Sequence, residues 1–175
     1  MTLVPNDPWY RDLLSAVERQ QAGITDHIGR PWAHHFERVA LRVIFRNPKA
    51  NRAQIEAALL HDAMMARGGG REMLTTLGVS TDARDMIEIT TPPANADYYR
   101  RFQDIGPTEC TIYLDYIREL CSSGHRAAIE MKLADINDTI DACRAGGTPL
   151  LVDQYKYRYE PSRKLLESAL GTDFA

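Results

Sequence analysis

The sequence predicts an all-α protein, and three observations carry that reading. Apolar residues recur at three- and four-residue spacing along most of the chain, the period of an amphipathic helix. No useful length alternates with period two, as a half-buried strand would. The periodic stretches are separated by Gly, Asn-Pro and Ser-Gly breaks, the punctuation that ends helices.

Each element follows from its own residues. Asp7-Pro8 reads as a helix entry, with Trp9, Leu13, Leu14 and Val17 at helical spacing up to about Gln21. Gly23 breaks that helix, and Ile24 to Pro31 is a connecting turn. A second helix begins at Trp32, buries a stripe of Phe36, Val39, Ala40, Val43 and Ile44, and ends at Asn47-Pro48. Asn51 caps a third, in which Ile55, Ala58, Leu59 and Asp62 recur on one side until Gly68-Gly69-Gly70. A short helix spans Glu72 to Leu77 and stops at Gly78. Ser80 or Thr81 caps the next, through Ala83, Met86 and Ile87 to about Thr90. Thr91 to Pro107 has no clear period and reads as a loop or lid. Cys110–Leu120 and Arg126–Ala145 are helical, separated by Ser122-Ser123-Gly124. The last helix runs from near Leu151 to Leu170, reset at Pro161 and closed by Gly171.

The bulk numbers exclude several classes. The 175 residues are read as one domain, residues 1–175, long enough to bury a core. With 44% hydrophobic and 26% charged residues the chain is neither disordered nor membrane-like. A net charge of −3 offers no basic field for a polynucleotide or an anionic membrane. Three cysteines without CxxC spacing, and no signal-like start, point to the cytoplasm.

The chemistry concentrates in Gln54-Ile-Glu-Ala-Ala-Leu-Leu-His61-Asp62. A strongly apolar run delivers a histidine and an aspartate as neighbours, a pair costly to desolvate without a partner. A divalent cation is a suitable partner, but two residues cannot hold one alone. Further donors stand in Trp32-Ala-His34-His35-Phe36 and in Lys132-Leu-Ala-Asp135-Ile-Asn-Asp138.

Set side by side, His35, His61-Asp62 and Asp135 resemble the ligand pattern of the HD-domain metal-dependent phosphohydrolases. Gly29-Arg-Pro31-Trp32-Ala-His34-His35-Phe-Glu-Arg-Val39-Ala40 is similar to the G-x-P-Y-x-x-H-P-x-x-V-A stretch of the RelA/SpoT-type alarmone hydrolases. Ala57-Ala-Leu-Leu-His61-Asp62 matches their AALLHD, and Tyr113-Leu-Asp-Tyr116-Ile117-Arg118 with Met131-Lys132-Leu-Ala-Asp135 looks like a run of their small relatives. Arg158-Tyr159-Glu-Pro161 resembles their C-terminal helix, so the likeness spans roughly Gly29 to Leu166. It implies a helical bundle in which His35, His61, Asp62 and Asp135 hold one divalent metal. The mixed nitrogen and oxygen donors suit Mn²⁺ first, then Fe²⁺, Co²⁺ or Zn²⁺. Counting back from Val39-Ala40 selects His35 rather than His34, which lies about 100° round the helix.

The chain also departs from the alarmone hydrolases. Their Glu-Asp pair after the HD dipeptide is Met65 and Ala66 here, neither capable of acid–base chemistry. Thr139 replaces an asparagine, and Asp26 or His27 stands where a basic residue is usual. The resemblance therefore implies a nucleotidase or a (d)NTP triphosphohydrolase acting on a small nucleotide. Two alternatives stand beside it: a (p)ppGpp-type 3′-pyrophosphohydrolase with Glu88 as the substitute carboxylate, and a degenerate HD domain that binds a nucleotide without turnover. Asp62 would both ligate the metal and orient the attacking water. Arg67, Arg71 and Lys132 would contact phosphates, and Asp138 would sit behind the ligands or face the substrate. Tyr98, Tyr99, Arg100 and Arg101 would stack on a base and grip phosphate if their loop folds over the site. Neither a membrane nor a polynucleotide partner is expected, and the family resemblance allows a homo-oligomer.

Overall fold

The computed structural model describes residues 4–26, 29–64, 70–92, 107–146 and 149–171. Among these every regular element is a helix, and the single β feature is an isolated bridge between Thr25 and Pro31. The chain is all-α. Its contacts divide into two compact units, Met1–Thr91 and Pro92–Ala175, taken here one at a time.

The first unit holds α1 (Pro8–Gln20), α2 (Ala33–Arg46), α3 (Arg52–Leu60), α4 (Arg71–Thr76) and α5 (Thr81–Thr90). Asn51 opens α3 with a full capping box: its side chain accepts from the Gln54 N–H while the Gln54 side chain accepts from the Asn51 N–H. Ala53 and every residue from Ile55 to Leu60 are buried, so α3 is apolar nearly all round, as a central helix must be. It packs against α1, α2 and α5, which contribute Tyr10, Leu13 and Val17, then Phe36, Val39 and Val43, then Ala83, Met86 and Ile87. Regular helix stops at Leu60, and His61 to Met64 form a turn.

The one buried charge of α3 is Glu56, and the fold answers it. Its carboxylate accepts from the Ser80 N–H at 3.0 Å, the Ser80 hydroxyl at 2.7 Å and Arg52 Nε at 2.7 Å. Ser80 is also the residue whose side chain caps α5, by accepting from the Ala83 N–H. The same buried carboxylate thus fixes the entry of the next packed helix.

Ahead of α2 a second carboxylate does similar work. Asp26 accepts from the Arg30 N–H and Arg30 Nε, each at 2.9 Å, and Arg38 Nη2 stands 3.9 Å away. Gly29, at φ +79°, supplies the left-handed residue of this turn. The Trp32 N–H donates to the Ile24 carbonyl at 2.8 Å, so the turn hands a fixed chain direction to α2.

The second unit holds α6 (Pro107–Ser122), α7 (Arg126–Gly146), α8 (Pro149–Gln154) and α9 (Glu160–Leu170). Tyr113, Ile117 and Leu120 on α6, Ile129, Leu133, Ile136 and Ile140 on α7, and Leu166 and Leu170 on α9 form its core. Helices α6 and α8 begin two or three residues before the apolar pattern places them, because a proline suits the first helical position. The reset at Pro161 is a π-helical turn over Tyr155–Tyr159. Proline has no N–H to give to the carbonyl four residues back, and a wider turn absorbs the missing bond.

Candidate metal centre

In the first unit, α2 and α3 bring two imidazoles together. His35 lies in the first turn of α2 on its buried side, and His61 follows the last residue of α3; they are 5% and 3% exposed. His34 points the other way, is exposed, and lines a cavity of about 330 Å³ with Glu18, Gln21 and Ile24. Aromatic rings wall the pair: Trp32 is 5.1 Å from the His35 ring and Phe36 is 5.1 Å from the His61 ring, between centroids.

Hydrogen bonding assigns the protons. His61 Nδ1 is 2.9 Å from the Ala58 carbonyl, which can only accept, so Nδ1 carries the hydrogen. In neutral His61 the lone pair is then on Nε2, and this atom faces His35 Nε2 at 3.2 Å. The contact accommodates either one proton, donated by His35, or one cation taking both lone pairs. Two nitrogens on a tetrahedral metal at about 2.0–2.1 Å would stand about 3.3 Å apart. The backbone bond to Nδ1 is also the usual way a ligating histidine is oriented from behind. The imidazole pair therefore fits a transition-metal cation.

Asp62 Oδ2 lies 3.6 Å from His61 Nε2, and its side chain is 33% exposed. A part-exposed carboxylate oxygen thus stands beside the same nitrogen. His35, His61 and Asp62 are neighbours in this unit.

In the second unit, Lys132 to Ile136 is buried without a break, and so is Asp138. Lys132 Nζ donates to Asp135 Oδ2 at 2.8 Å, with both side chains about nine-tenths buried. Such a pair is strongly destabilised if one partner is removed. Asp138, only 2% exposed, is likewise off the solvated face of α7. Thr139 donates to the Asp135 carbonyl at 3.1 Å, an intrahelical bond.

The remaining candidates are more scattered. Arg71 begins α4 and is ion-paired with Glu88 of α5, so the proposed phosphate contact and the proposed substitute carboxylate engage each other. Arg67, Met65, Ala66, His27 and the Tyr98–Arg101 group lie outside the described residues. Two residues of interest escaped the sequence reading. Glu56 carried the available signal, a charge inside an apolar helical run. Arg158 entered that reading only within the stretch Arg158-Tyr159-Glu-Pro161, with no role of its own, because the π turn it sits in has no motif.

Comparison with protein-family models, with curated proteins and with solved structures returned no match. Among the described residues no helix is long and apolar enough to cross a membrane.

Proposed function

We propose that the chain is an HD-type metal-dependent phosphohydrolase that cleaves a phosphoester or pyrophosphate bond of a small nucleotide, in the manner of a nucleotidase or a (d)NTP triphosphohydrolase. The observation that supports it most is the His35–His61 contact, two buried imidazole nitrogens 3.2 Å apart with the second oriented by the Ala58 carbonyl. In this reading His35, His61, Asp62 and Asp135 hold the metal, Mn²⁺ before Fe²⁺, Co²⁺ or Zn²⁺. His35, His61 and Asp135 each offer one donor atom and are all buried.

A bound divalent cation would supply a Lewis acid for the phosphoryl oxygen and a water of lowered pKa. The residues do the rest. Asp62, a third exposed, would accept a hydrogen bond from the attacking water and orient it. The His61 ring is held in one tautomer by the Ala58 carbonyl, so Nε2 would present its lone pair without reorganisation. Lys132 holds Asp135 in place and adds positive charge for a phosphate.

Replacement of the Glu-Asp pair by Met65 and Ala66 favours a nucleotidase over a 3′-pyrophosphohydrolase. The pairing of Glu88 with Arg71 supports the same preference, since that carboxylate is already engaged. The same replacement motivates the second reading, a domain that binds a nucleotide without turnover. The test is phosphate or pyrophosphate release from dNTPs, NMPs and guanosine tetraphosphate with added Mn²⁺, comparing the natural chain with Asp62→Ala. Release that vanishes in the variant supports the enzyme, and its product names the bond. No release on any substrate, with metal bound, selects the binding domain.

A further inference from the structure

The first unit has an open cavity of about 330 Å³ that the proposed metal ligands do not use. Glu18, Gln21 and Ile24 border it from the end of α1 and the turn that follows, and Pro31, Ala33 and His34 from the start of α2. Pockets that take small organic ligands run from about 300 Å³ upward, so this one suits a small molecule. The backbone holds its walls. The Gln21 N–H donates to the Val17 carbonyl at 2.9 Å and closes α1, and the Ile24 N–H donates to the Gln21 carbonyl at 3.0 Å. The Trp32 N–H donates back to the Ile24 carbonyl at 2.8 Å and Thr25 bridges Pro31, which ties the end of α1 to the start of α2.

Glu18, Gln21 and His34 have no hydrogen-bond or ion partner among the described residues. Glu18 and His34 are exposed, where water serves them. Gln21 is different, being only 7% exposed. Its amide atoms are unpaired without being sealed in, unlike Gln20 Nε2, which is enclosed with no partner. The buried Gln21 amide therefore keeps a donor and an acceptor for whatever enters the cavity it borders.

The two walls differ in electrical sense. Glu18 and Gln21 stand three residues apart at the C-terminal end of α1, where the last carbonyls favour a cation. Ala33 and His34 open α2, where the first amides favour an anion. Of those amides, Trp32, His34 and His35 donate to the Ile24, Pro31 and Trp32 carbonyls, whereas the Ala33 N–H has no backbone acceptor among the described residues. A molecule carrying both charges suits such a cavity better than one carrying either alone.

We propose that this cavity binds a small zwitterion of the amino-acid class. The Glu18 carboxylate and the Gln21 amide oxygen receive its ammonium, the Ala33 N–H and an N–H of His34 receive its carboxylate, and an apolar tail lies against Ile24 and Pro31. The site is separate from His35, which is on the buried side of α2, and it does not depend on the phosphohydrolase reading.

The experiment is calorimetric titration of the full chain with L-norvaline, a zwitterion with a plain propyl tail. Butylamine and valerate, which keep the tail and one charge each, are titrated beside it. L-Norvaline should bind at least about ten-fold more tightly than either. Glu18→Gln should weaken L-norvaline at least about five-fold with the thermal midpoint unchanged, and Gln21→Leu should weaken it as much. A natural chain that binds no L-norvaline, or binds it no more tightly than butylamine or valerate, overturns the proposal. So does binding by both variants within about two-fold of the natural chain. If Gln21→Leu does not fold, Glu18→Gln alone decides by the same two-fold criterion.

Discussion

His35 Nε2 and His61 Nε2 face each other at 3.2 Å inside the first unit, and the Ala58 carbonyl fixes which of the His61 nitrogens carries hydrogen. Two buried imidazole nitrogens converging on one point are satisfied either by one proton between them or by one cation that takes both lone pairs. It follows that the two rings should change together on loading. Mn²⁺ is paramagnetic, so addition of Zn²⁺ is the cleaner probe. Zn²⁺ should shift the imidazole NMR signals of both His35 and His61 and leave those of exposed His34 in place. Movement of His34 alone would contradict the assignment.

Glu56 gives the second prediction. It is buried on α3 and takes both the N–H and the hydroxyl of Ser80, along with Arg52 Nε. Arg52 is 60% exposed, so most of the value lies in the Ser80 bonds rather than the ion pair. Glu56→Ala should cost about 1–3 kcal/mol, because it leaves the half-buried Ser80 N–H and hydroxyl without their acceptor. Glu56→Gln should cost less, since an amide oxygen still accepts. Urea denaturation measures both, and equal loss in the two variants would contradict the account.

The acid limb of stability supplies a third. The hydrogen bond from Arg163 holds the Glu160 carboxyl below its ordinary pKa, against the opposing effect of burial. A carboxylate with a lowered folded pKa contributes stability that is present above the unfolded value, about 4.3, and is lost as the pH falls through the folded one. Both side chains are partly exposed, so the contribution at neutral pH should be modest, about 0.5–1 kcal/mol. The stability difference between the natural chain and Glu160→Gln should shrink toward zero as the pH falls below the ordinary carboxylate range. A difference that grows in acid would refute it.

The thiols give a fourth. Burial pushes the Cys121 and Cys143 thiols up, with Arg158 partly offsetting the rise at Cys143. Both should therefore react with a disulfide reagent at pH 8 at least about ten-fold more slowly than an unfolded thiol, because the thiolate is the nucleophile. Timed labelling read by mass spectrometry checks this, and rapid labelling of Cys143 in the folded chain would contradict it.

Much of this was legible in the residues, and the reasons are local. Helix existence follows from the apolar period, and Asn51 and Ser80 announce their caps by type and place. The candidate donors His61 and Asp135 were legible because a charged or imidazole side chain inside an apolar run demands a partner; Glu56 obeys the same rule but was not singled out by it. What partner each finds was not legible. Lys132 serves Asp135 at three-residue spacing, as helix geometry allows, whereas Ser80 answers Glu56 across 24 positions. The π turn was hidden because only its cause, Pro161, is visible, and a proline equally ends, kinks or starts a helix. With it went the placement of Arg158.

The proposed metal ligation by His35, His61, Asp62 and Asp135 is tested most directly by metal stoichiometry after Mn²⁺ loading and desalting. The natural chain should retain about one Mn²⁺, and His35→Ala, His61→Ala and Asp135→Ala should each lose affinity by more than about 100-fold while His34→Ala does not. Full retention in the His61→Ala and Asp135→Ala chains, or none in the natural one, would contradict it.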